Sequence, residues 1–369
     1  MKFIDLNEQY LLIKGVIDKN MQTVLDHGQF IVGPEVLELE KRLAEWIDVR
    51  HCVTVSNGTM ALLIALMALG IGPGDQVITS SFSFFATAET IIFLGAEPVF
   101  VDIDLFTYNI DPSKIEAAIT SRTKAIMPVS LFGQCADFTT INAIAEHHGL
   151  FVIEDGAQSF GATHQGKQSC GLTTVGCTSF FPSKPLGCYG DGGACFTNDD
   201  ALAEAMRLIR NHGQKNHYHH IRIGLNARFN TLQAAVLLAK LELFPDEVKR
   251  RQTVADWYSE ILQEYFVIPH VVPENVSIFA QYTIRVEKRE IIRVALTEVG
   301  IPTAIHYPKP LYEQPAIQDY LQVWEGNYPK TEIASQQVLS LPFHPYLTKE
   351  TVRKICNALL SMVNAKSDG

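Results

Sequence analysis

The chain has 369 residues, of which 47% are hydrophobic and 19% charged, and it carries a formal net charge of −10. That length and apolar content predict about two globular domains with a sizeable core, and they exclude a disordered chain. The acidic balance excludes nonspecific nucleic-acid binding, which needs a basic surface, so anionic ligands must be met by local donors.

The N-terminus, MKFIDLNEQY, lacks a basic segment followed by an apolar run, so no signal peptide is expected. Residues 8–26 are amphipathic and 27–33 form a loop. Pro34 and Glu35 then open a helix whose Val36, Leu39, Leu43, Trp46 and Ile47 share one face. A short strand at 53–55 runs through Ser56-Asn57-Gly58-Thr59 into a helix at 60–69 that is apolar on nearly every side. Such a helix must be buried, and its N-terminus offers free N–H groups, a positive dipole end and a glycine that allows close approach. This is a ready phosphate site, although an ordinary helix cap produces the same pattern. GIGPGD at 70–75 follows a helix and precedes a strand, the reverse of the dinucleotide-binding order, and reads as a turn.

A strand at 76–80 runs into SFSFFATAET, where Phe82, Phe84 and Phe85 cannot all face one core, leaving one ring to lie on a planar ligand. Strands at 98–101 and 124–131 alternate with helices at 86–94, 112–120 and 137–148, which predicts a largely parallel sheet covered on both faces. The apolar run 150–153 stops at Glu154 and Asp155, as a buried parallel strand does where its C-terminal end opens into a site. A second run at 177–181 delivers Ser179, Ser183 and Lys184 into a turn with Pro182, Pro185, Gly187 and Gly190. A desolvated ammonium among aromatics and prolines gives up its proton more readily and becomes an amine nucleophile suited to a Schiff base. Pyridoxal phosphate (PLP) needs such a lysine, an acid to keep its pyridine nitrogen protonated, and hydroxyl and N–H groups for its phosphate. Lys184, Asp155 and Ser179 match those needs. A helix-capping Asp155 and a surface Lys184 are the plainer alternative.

Cys170, Cys177, Cys188 and Cys195 have a regular spacing that strand packing explains better than a metal. The seven cysteines, odd in number and without a CxxC pair, read as reduced thiols of a cytoplasmic protein. A helix reaches Arg210, and His212, His217, His219 and His220 follow in a polar loop without metal-site spacing. Asn226 and Arg228 flank the start of an apolar helix at 231–243 and are placed to hold anionic groups. Beyond 245 come a charged helix, a strand at 281–286, a helix at 290–299, a strand at 303–306, the exposed pair His306 and Tyr307, and helices at 331–339 and 349–363. We read residues 1–245 as a large domain, whose N-terminal segment packs on the other, and 246–369 as a small α+β domain. No window of ~18 apolar residues predicts a membrane span.

SNGTMAL, SFSFFATAE, VIEDGAQSFGA, TSFFPSKPLGCYGDGGA, GLNARFNTLQAA, HYPKPLYEQP and SLPFHPYL occur in one order over nearly the whole chain. Together they resemble the nucleotide-sugar aminotransferases of the DegT/DnrJ/EryC1/StrS family. SFFPSKPLGCYGDGG and YHHIR bring the chain nearest to members that act on UDP-2-acetamido-2-deoxy-3-oxo-glucuronate in O-antigen pathways. The resemblance implies an α/β fold of the PLP-dependent fold-type I class, like aspartate aminotransferase, with a mainly parallel seven-stranded sheet. It also implies a homodimer with both sites at the interface. Lys184 would carry the cofactor, Asp155 would pair with its pyridinium nitrogen, Gln158 would lie near its phenolic oxygen, and Phe84 would stack on its ring. Gly58, Thr59, the Met60 backbone and Ser179 would cup the phosphate, and Asn226 would reach it from the neighbouring subunit. Arg228, His306 and Tyr307 would address the sugar, with Arg228 and His306 as a positive pair on a uronate carboxylate. Gly156 and Met60 depart from relatives that carry Ala and a small or polar residue there.

The implied reaction is ping-pong transamination. Glutamate would leave pyridoxamine phosphate, and a UDP-linked 3-keto sugar would take up the amine, with Lys184 moving the protons. Dehydratases of the family carry histidine in place of this lysine. The rivals are a sibling acting on a 4-keto-6-deoxy or dTDP-linked sugar, a non-catalytic sugar-binding or regulatory protein of the same fold, and a metal enzyme using His217 to His220.

Overall fold

A computed structural model describes residues 1–320 and 326–364. Helix α1 (Leu6–His27) is capped by Asp5, whose carboxylate accepts from the Asn7 and Glu8 N–H groups, and it ends on left-handed Gly28. Helix α2 (Pro34–Ile47) starts on its proline and buries the expected stripe of Val36, Leu39, Leu43 and Ile47. Strand-helix alternation follows through β1 (His51–Val55), α3 (Gly58–Ala68), β2 (Gln76–Ser80), α4 (Ala86–Phe93), β3 (Glu97–Val101), β4 (Thr123–Met127), α5 (Phe138–His148) and β5 (Phe151–Asp155). A small hairpin, β6 (Thr163–His164) and β7 (Lys167–Gln168), precedes β8 (Val175–Ser179) and β9 (Gly193–Thr197). Then come α6 (Asp200–Arg210), the hairpin β10 (Gln214–Asn216) and β11 (His219–His220), and α7 (Thr231–Leu262). The remaining elements are β12 (Asn275–Val276), β13 (Tyr282–Arg285), α8 (Arg289–Glu298), α9 (Pro315–Tyr320), α10 (Pro329–Gln337), β14 (Val338–Leu341) and α11 (Lys349–Asn364).

Seven strands form one sheet in the order β1-β9-β8-β5-β4-β2-β3. From β3 through β2, β4 and β5 to β8 every pairing is parallel, whereas β9 runs antiparallel to both β8 and β1. Two reversals leave β1 pointing the same way as β8. The C-terminal ends of β1, β2, β5 and β8 therefore open on one edge, where ligands collect in such sheets. The apolar α3 lies beneath that edge, with Ala61, Leu62, Ile64, Ala65 and Leu66 buried against Val53, Val55, Val77 and Ile153.

A separate core joins Val254, Tyr258 and Leu262 of α7 to Tyr282 and Ile284 of β13, Leu339 and Leu341 of β14, and Val352, Ile355 and Leu359 of α11. The N-terminus meets this second core through the Phe343 N–H, which donates to the Phe3 carbonyl at 3.2 Å. Among the described residues no helix is long and apolar enough to cross a membrane.

Four local expectations change. The charged helix expected after 245 is the continuation of α7, which runs through Pro245 without a break because both cores bury its faces. The helix expected at 112–120 is a pair of 3₁₀ turns, Pro112–Lys114 and Glu116–Ala118. The strand expected at 303–306 reduces to one bridge, Ala304 to Ser340, and its partner there is β14, a strand that sequence reading merged into the preceding helix. The strand expected at 124–131 ends at Met127, and its last residue, Leu131, opens a 3₁₀ turn that runs to Gly133.

Candidate active site

The open edge of the sheet holds a cavity of about 530 Å³, lined among others by Gly58, Thr59, Phe84, Asp155, Gln158, Ser179, Lys184, His306 and Tyr307. Segments as far apart as 57 and 307 are brought together because parallel strands place their ends side by side while the second core presses its loop against them.

The N-terminus of α3 forms one end. Asn57 Oδ1 accepts from the Met60 N–H at 2.8 Å, which leaves the Gly58 and Thr59 N–H groups as the unsatisfied donors of the first turn. A Cβ on Gly58 would lie 2.7 Å from Ser179 Cβ, so only glycine lets the helix end meet the Ser179 hydroxyl. Gly193 serves the same approach, since a Cβ there would sit 2.6 Å from the Asn57 carbonyl carbon. The expectation for Met60 changes. Its N–H is committed to the cap and the residue packs among the apolar side chains beneath, outside the cavity lining.

At the other end, β5 alternation sends its two acids to opposite faces. Asp155 faces the cavity, with Oδ2 accepting from Thr87 Oγ1 at 2.8 Å and Oδ1 from the Ala157 N–H at 3.2 Å. Because the Thr87 proton is given to Asp155, the Ser83 hydroxyl 2.9 Å away donates to Thr87, and the chain Ser83, Thr87, Asp155 is ordered in one direction. Burial lifts the Asp155 carboxyl above its ordinary range, against Thr87, the Ala157 N–H and Lys184. A cation beside it would restore the carboxylate. Glu154 points away and accepts from Ser130, Ser169 and the Cys170 N–H, so it has no part in the cavity.

Lys184 rises from a tight turn in which its N–H donates to the Phe181 carbonyl at 2.8 Å. Burial pulls the ammonium below its ordinary basicity, and the negative charge of Asp155 opposes this. Phe84 is 56% exposed while Phe82 is fully buried, which identifies the cavity-facing ring of SFSFF. The Phe84 and Tyr307 centroids are 6.1 Å apart. Gln158 Oε1 accepts from the Phe132 N–H at 2.9 Å, which turns its amide nitrogen into the cavity to donate to Tyr307 Oη at 3.1 Å.

His306 bonds Ser340 Oγ through Nδ1 at 3.0 Å, and burial, then the nearby Lys184 charge, drop its pKa to about 4. It is neutral at physiological pH, so the expected positive pair with Arg228 reduces to Arg228 alone. Asn226 and Arg228 do not line this cavity. Asn226 is exposed, and its Oδ1 accepts from Arg228 Nε at 3.1 Å. The four histidines of residues 212–220 lie in and beside the β10–β11 hairpin, away from the cavity, and among the described residues no group of His, Cys, Asp or Glu is arranged to hold a metal.

Sequence reading did not single out Ser83, Thr87, Asp191 or Gln281, all at or behind the cavity wall. The i, i+4 spacing of Ser83 and Thr87 was a usable signal. Gln281 carried none, being placed by the second core. The departure at Gly156 has a cause: a Cβ there would lie 2.5 Å from Cys170 Sγ.

These residues fit PLP. A helix N-terminus with two free N–H groups and a hydroxyl suits its phosphate, a buried acid short of a cationic partner suits its ring nitrogen, and an amine of lowered basicity suits its aldehyde. Comparison with known proteins agrees. The chain matches the DegT/DnrJ/EryC1/StrS aminotransferase family over residues 12–360. It is 56% identical over 97% of its length to a Pseudomonas aeruginosa protein named UDP-2-acetamido-2-deoxy-3-oxo-D-glucuronate aminotransferase, covering 99% of that protein. A crystal structure of a DegT/DnrJ/EryC1/StrS aminotransferase from Brucella abortus superposes with a TM-score of 0.95 at 44% identity, over 98% of this chain and 99% of that one. The Bacillus subtilis protein NtdA, solved with bound cofactor PMP, superposes with a TM-score of 0.89 at 32% identity, over 98% and 83%.

Proposed function

The chain belongs to the DegT/DnrJ/EryC1/StrS aminotransferase family and is a PLP-dependent enzyme, and on that premise we propose that it aminates carbon 3 of UDP-2-acetamido-2-deoxy-3-oxo-glucuronate. The sugar assignment rests on the 56% identity to the Pseudomonas protein, and the site assignment on Lys184 and Asp155 facing one cavity. Glutamate is the proposed donor and the cytoplasm the proposed location.

When bound, PLP supplies the electron sink that makes the donor's Cα proton removable. The Gly58 and Thr59 N–H groups and Ser179 would hold its phosphate, Phe84 would cover its ring, and the Gln158 amide nitrogen would stand by its phenolic oxygen. Asp155, held by Thr87 and the Ala157 N–H, would keep a proton on the ring nitrogen, and that cation beside it would keep Asp155 ionised despite its burial. Lys184 Nζ takes the proton from the donor's Cα, and in the second half-reaction it delivers a proton to carbon 3 of the sugar. Its lowered basicity favours the neutral amine that this exchange needs.

Asn226 and Arg228 serve the cavity of a second copy. The segment that carries them runs on to Asn230, which bridges Ile31 on the loop that Gly33 ties to Thr231, and there Phe30 and Ile31 are exposed at 44% and 51%. A dimer that covers this patch brings Asn226 to the partner's phosphate and Arg228 to the uronate carboxylate. The two-domain division of the chain, at residue 245, belongs to the same reading.

Separate half-reactions test it. Wild-type protein loaded with PLP should lose its visible absorption band on adding glutamate and regain it with the UDP-linked 3-oxo-glucuronate, but not with a dTDP-linked 4-keto-6-deoxy sugar. Turnover of the dTDP sugar alone would move the chain to the sibling activity. A colourless protein, unlabelled at Lys184 by borohydride, would leave a non-catalytic binder.

A further inference from the structure

Lys240 is fully buried in α7, and the transamination described above leaves it no role. Its Nζ donates to the Gly187 carbonyl at 2.6 Å and stands 4.3 Å from the centre of the Tyr189 ring. Among the described residues no carboxylate lies within ion-pair distance of it; Glu247 acts only at longer range. Burial lowers its pKa to about 8. Taking an ammonium out of water for a single neutral acceptor and a ring face returns less than the desolvation costs, so an apolar side chain would serve stability better. What the ammonium adds is direction: it fixes where the Gly187 carbonyl points and where the Tyr189 ring lies.

Those two residues close the loop that carries Lys184. The Cys188 N–H donates to the Phe180 carbonyl at 2.8 Å, which folds the loop back on itself. A Cβ on Gly187 would lie 2.5 Å from the Pro182 carbonyl oxygen, so the two limbs are in contact. Gln233, two helical turns before Lys240 and on the same face of α7, accepts from the Tyr189 N–H through Oε1 at 2.8 Å. Lys184 lies between the two limbs, followed by Leu186, which is buried in the core beneath the sheet, and its own N–H is bonded within the loop, to the Phe181 carbonyl.

We propose that Lys240, together with Gln233, is a positioning residue for the reaction: α7 grips the far limb of the loop and thereby sets where Lys184 Nζ stands relative to Asp155. This rests on the assignment of Lys184 proposed above. Neither residue touches the reacting atoms, so the predicted signature is a loss of placement and not of binding.

The test is Lys240→Met, which keeps the length and apolar stem and removes the charge, with Gln233→Ala as a second variant that cuts the other anchor. In the cofactor-free chain, amide hydrogen exchange of residues 181–190 should quicken about tenfold while β2, β4 and β5 keep their wild-type rates. With PLP and glutamate, the single-turnover rate of the first half-reaction should fall about tenfold with the apparent Kd for glutamate within about twofold, and the pH midpoint of the bound cofactor's absorption should move. Unchanged exchange in 181–190, or exchange that rises equally throughout, overturns the proposal. Should Lys240→Met fail to fold, Gln233→Ala decides it alone by the same comparison. Borohydride labelling of wild-type Lys184 separates the two readings. A labelled wild type with silent variants sinks only the positioning role, whereas an unlabelled wild type sinks the assignment of Lys184 and this proposal with it.

Discussion

Glu154 and Asp155 are neighbours on β5, both buried, and they occupy opposite worlds. On one face Glu154 is met by Ser130, Ser169 and the Cys170 N–H, a closed knot in which its oxygens are spoken for by the chain. On the other, Asp155 has Thr87 and the Ala157 N–H on one side and a cavity on the other. In both cases burial raises the carboxyl's pKa, so burial and titration do not tell the two apart. The completeness of the partners does. A buried acid whose hydrogen bonds are complete holds structure, and one left with an open side is waiting for a ligand.

The largest effect that sharpens this contrast is at the lysine that faces the same cavity as Asp155. Lys184→Ala should drop turnover by about 10⁵-fold or more, as loss of a nucleophile that also carries the proton does, while the thermal transition stays cooperative. A loss of cooperative unfolding would instead make Lys184 structural.

Asp155→Asn should cost about 10³-fold in kcat/KM with little change in the urea midpoint, since the amide keeps the size but not the charge. Glu154→Gln should behave in the opposite way, destabilising by about 1–3 kcal/mol in urea unfolding while leaving kcat/KM within about threefold. If the two substitutions gave the same profile, the distinction between the faces of β5 would fall.

Arg228→Ala should lower kcat/KM about 10–100-fold for the uronate sugar and much less for an uncharged analogue, because a charge-assisted pair is lost only with the first. Equal losses on both would remove Arg228 from carboxylate recognition. A smaller effect is expected at Gly58→Ala, where the added Cβ presses on Ser179; equilibrium titration should show PLP bound about tenfold more weakly.

The mildest prediction concerns pH. His306 and His344 titrate at about 4 in the folded chain against an ordinary value of 6.5, both through burial. The unfolded chain therefore takes up protons that the folded chain refuses between those values. Their contribution to stability is complete above about pH 6.5 and is lost as pH falls towards 4. Urea midpoints should decline across that window, and His344→Gln should flatten the decline.

Much of the site was legible in the sequence because its signals are local. Asp155 ends an apolar run, Lys184 sits among prolines, and Gly58 follows a strand and opens an apolar helix, each readable within a few residues. The resemblance added roles that local chemistry leaves open, such as those of Gln158, Asn226 and Tyr307. Met60 and His306 were assigned roles that depend on neighbours. Met60 loses its N–H to the Asn57 cap, and His306 loses its charge to burial beside Lys184. Gln281 and Lys240 could not be found by pattern, because what distinguishes each of them is contact with segments distant along the chain.

By itself the sequence determined the alternation of strand and helix, the burial of α3 and the gathering of strand ends on one edge, since hydrophobic period and turn chemistry act over a few residues. Tertiary structure alone decided which face each acid of β5 took, how far α7 ran past Pro245, and which polar groups were satisfied before any ligand arrived. Those outcomes depend on register and packing between distant segments, where one carbonyl or hydroxyl placed within hydrogen-bond reach changes what a side chain is free to do.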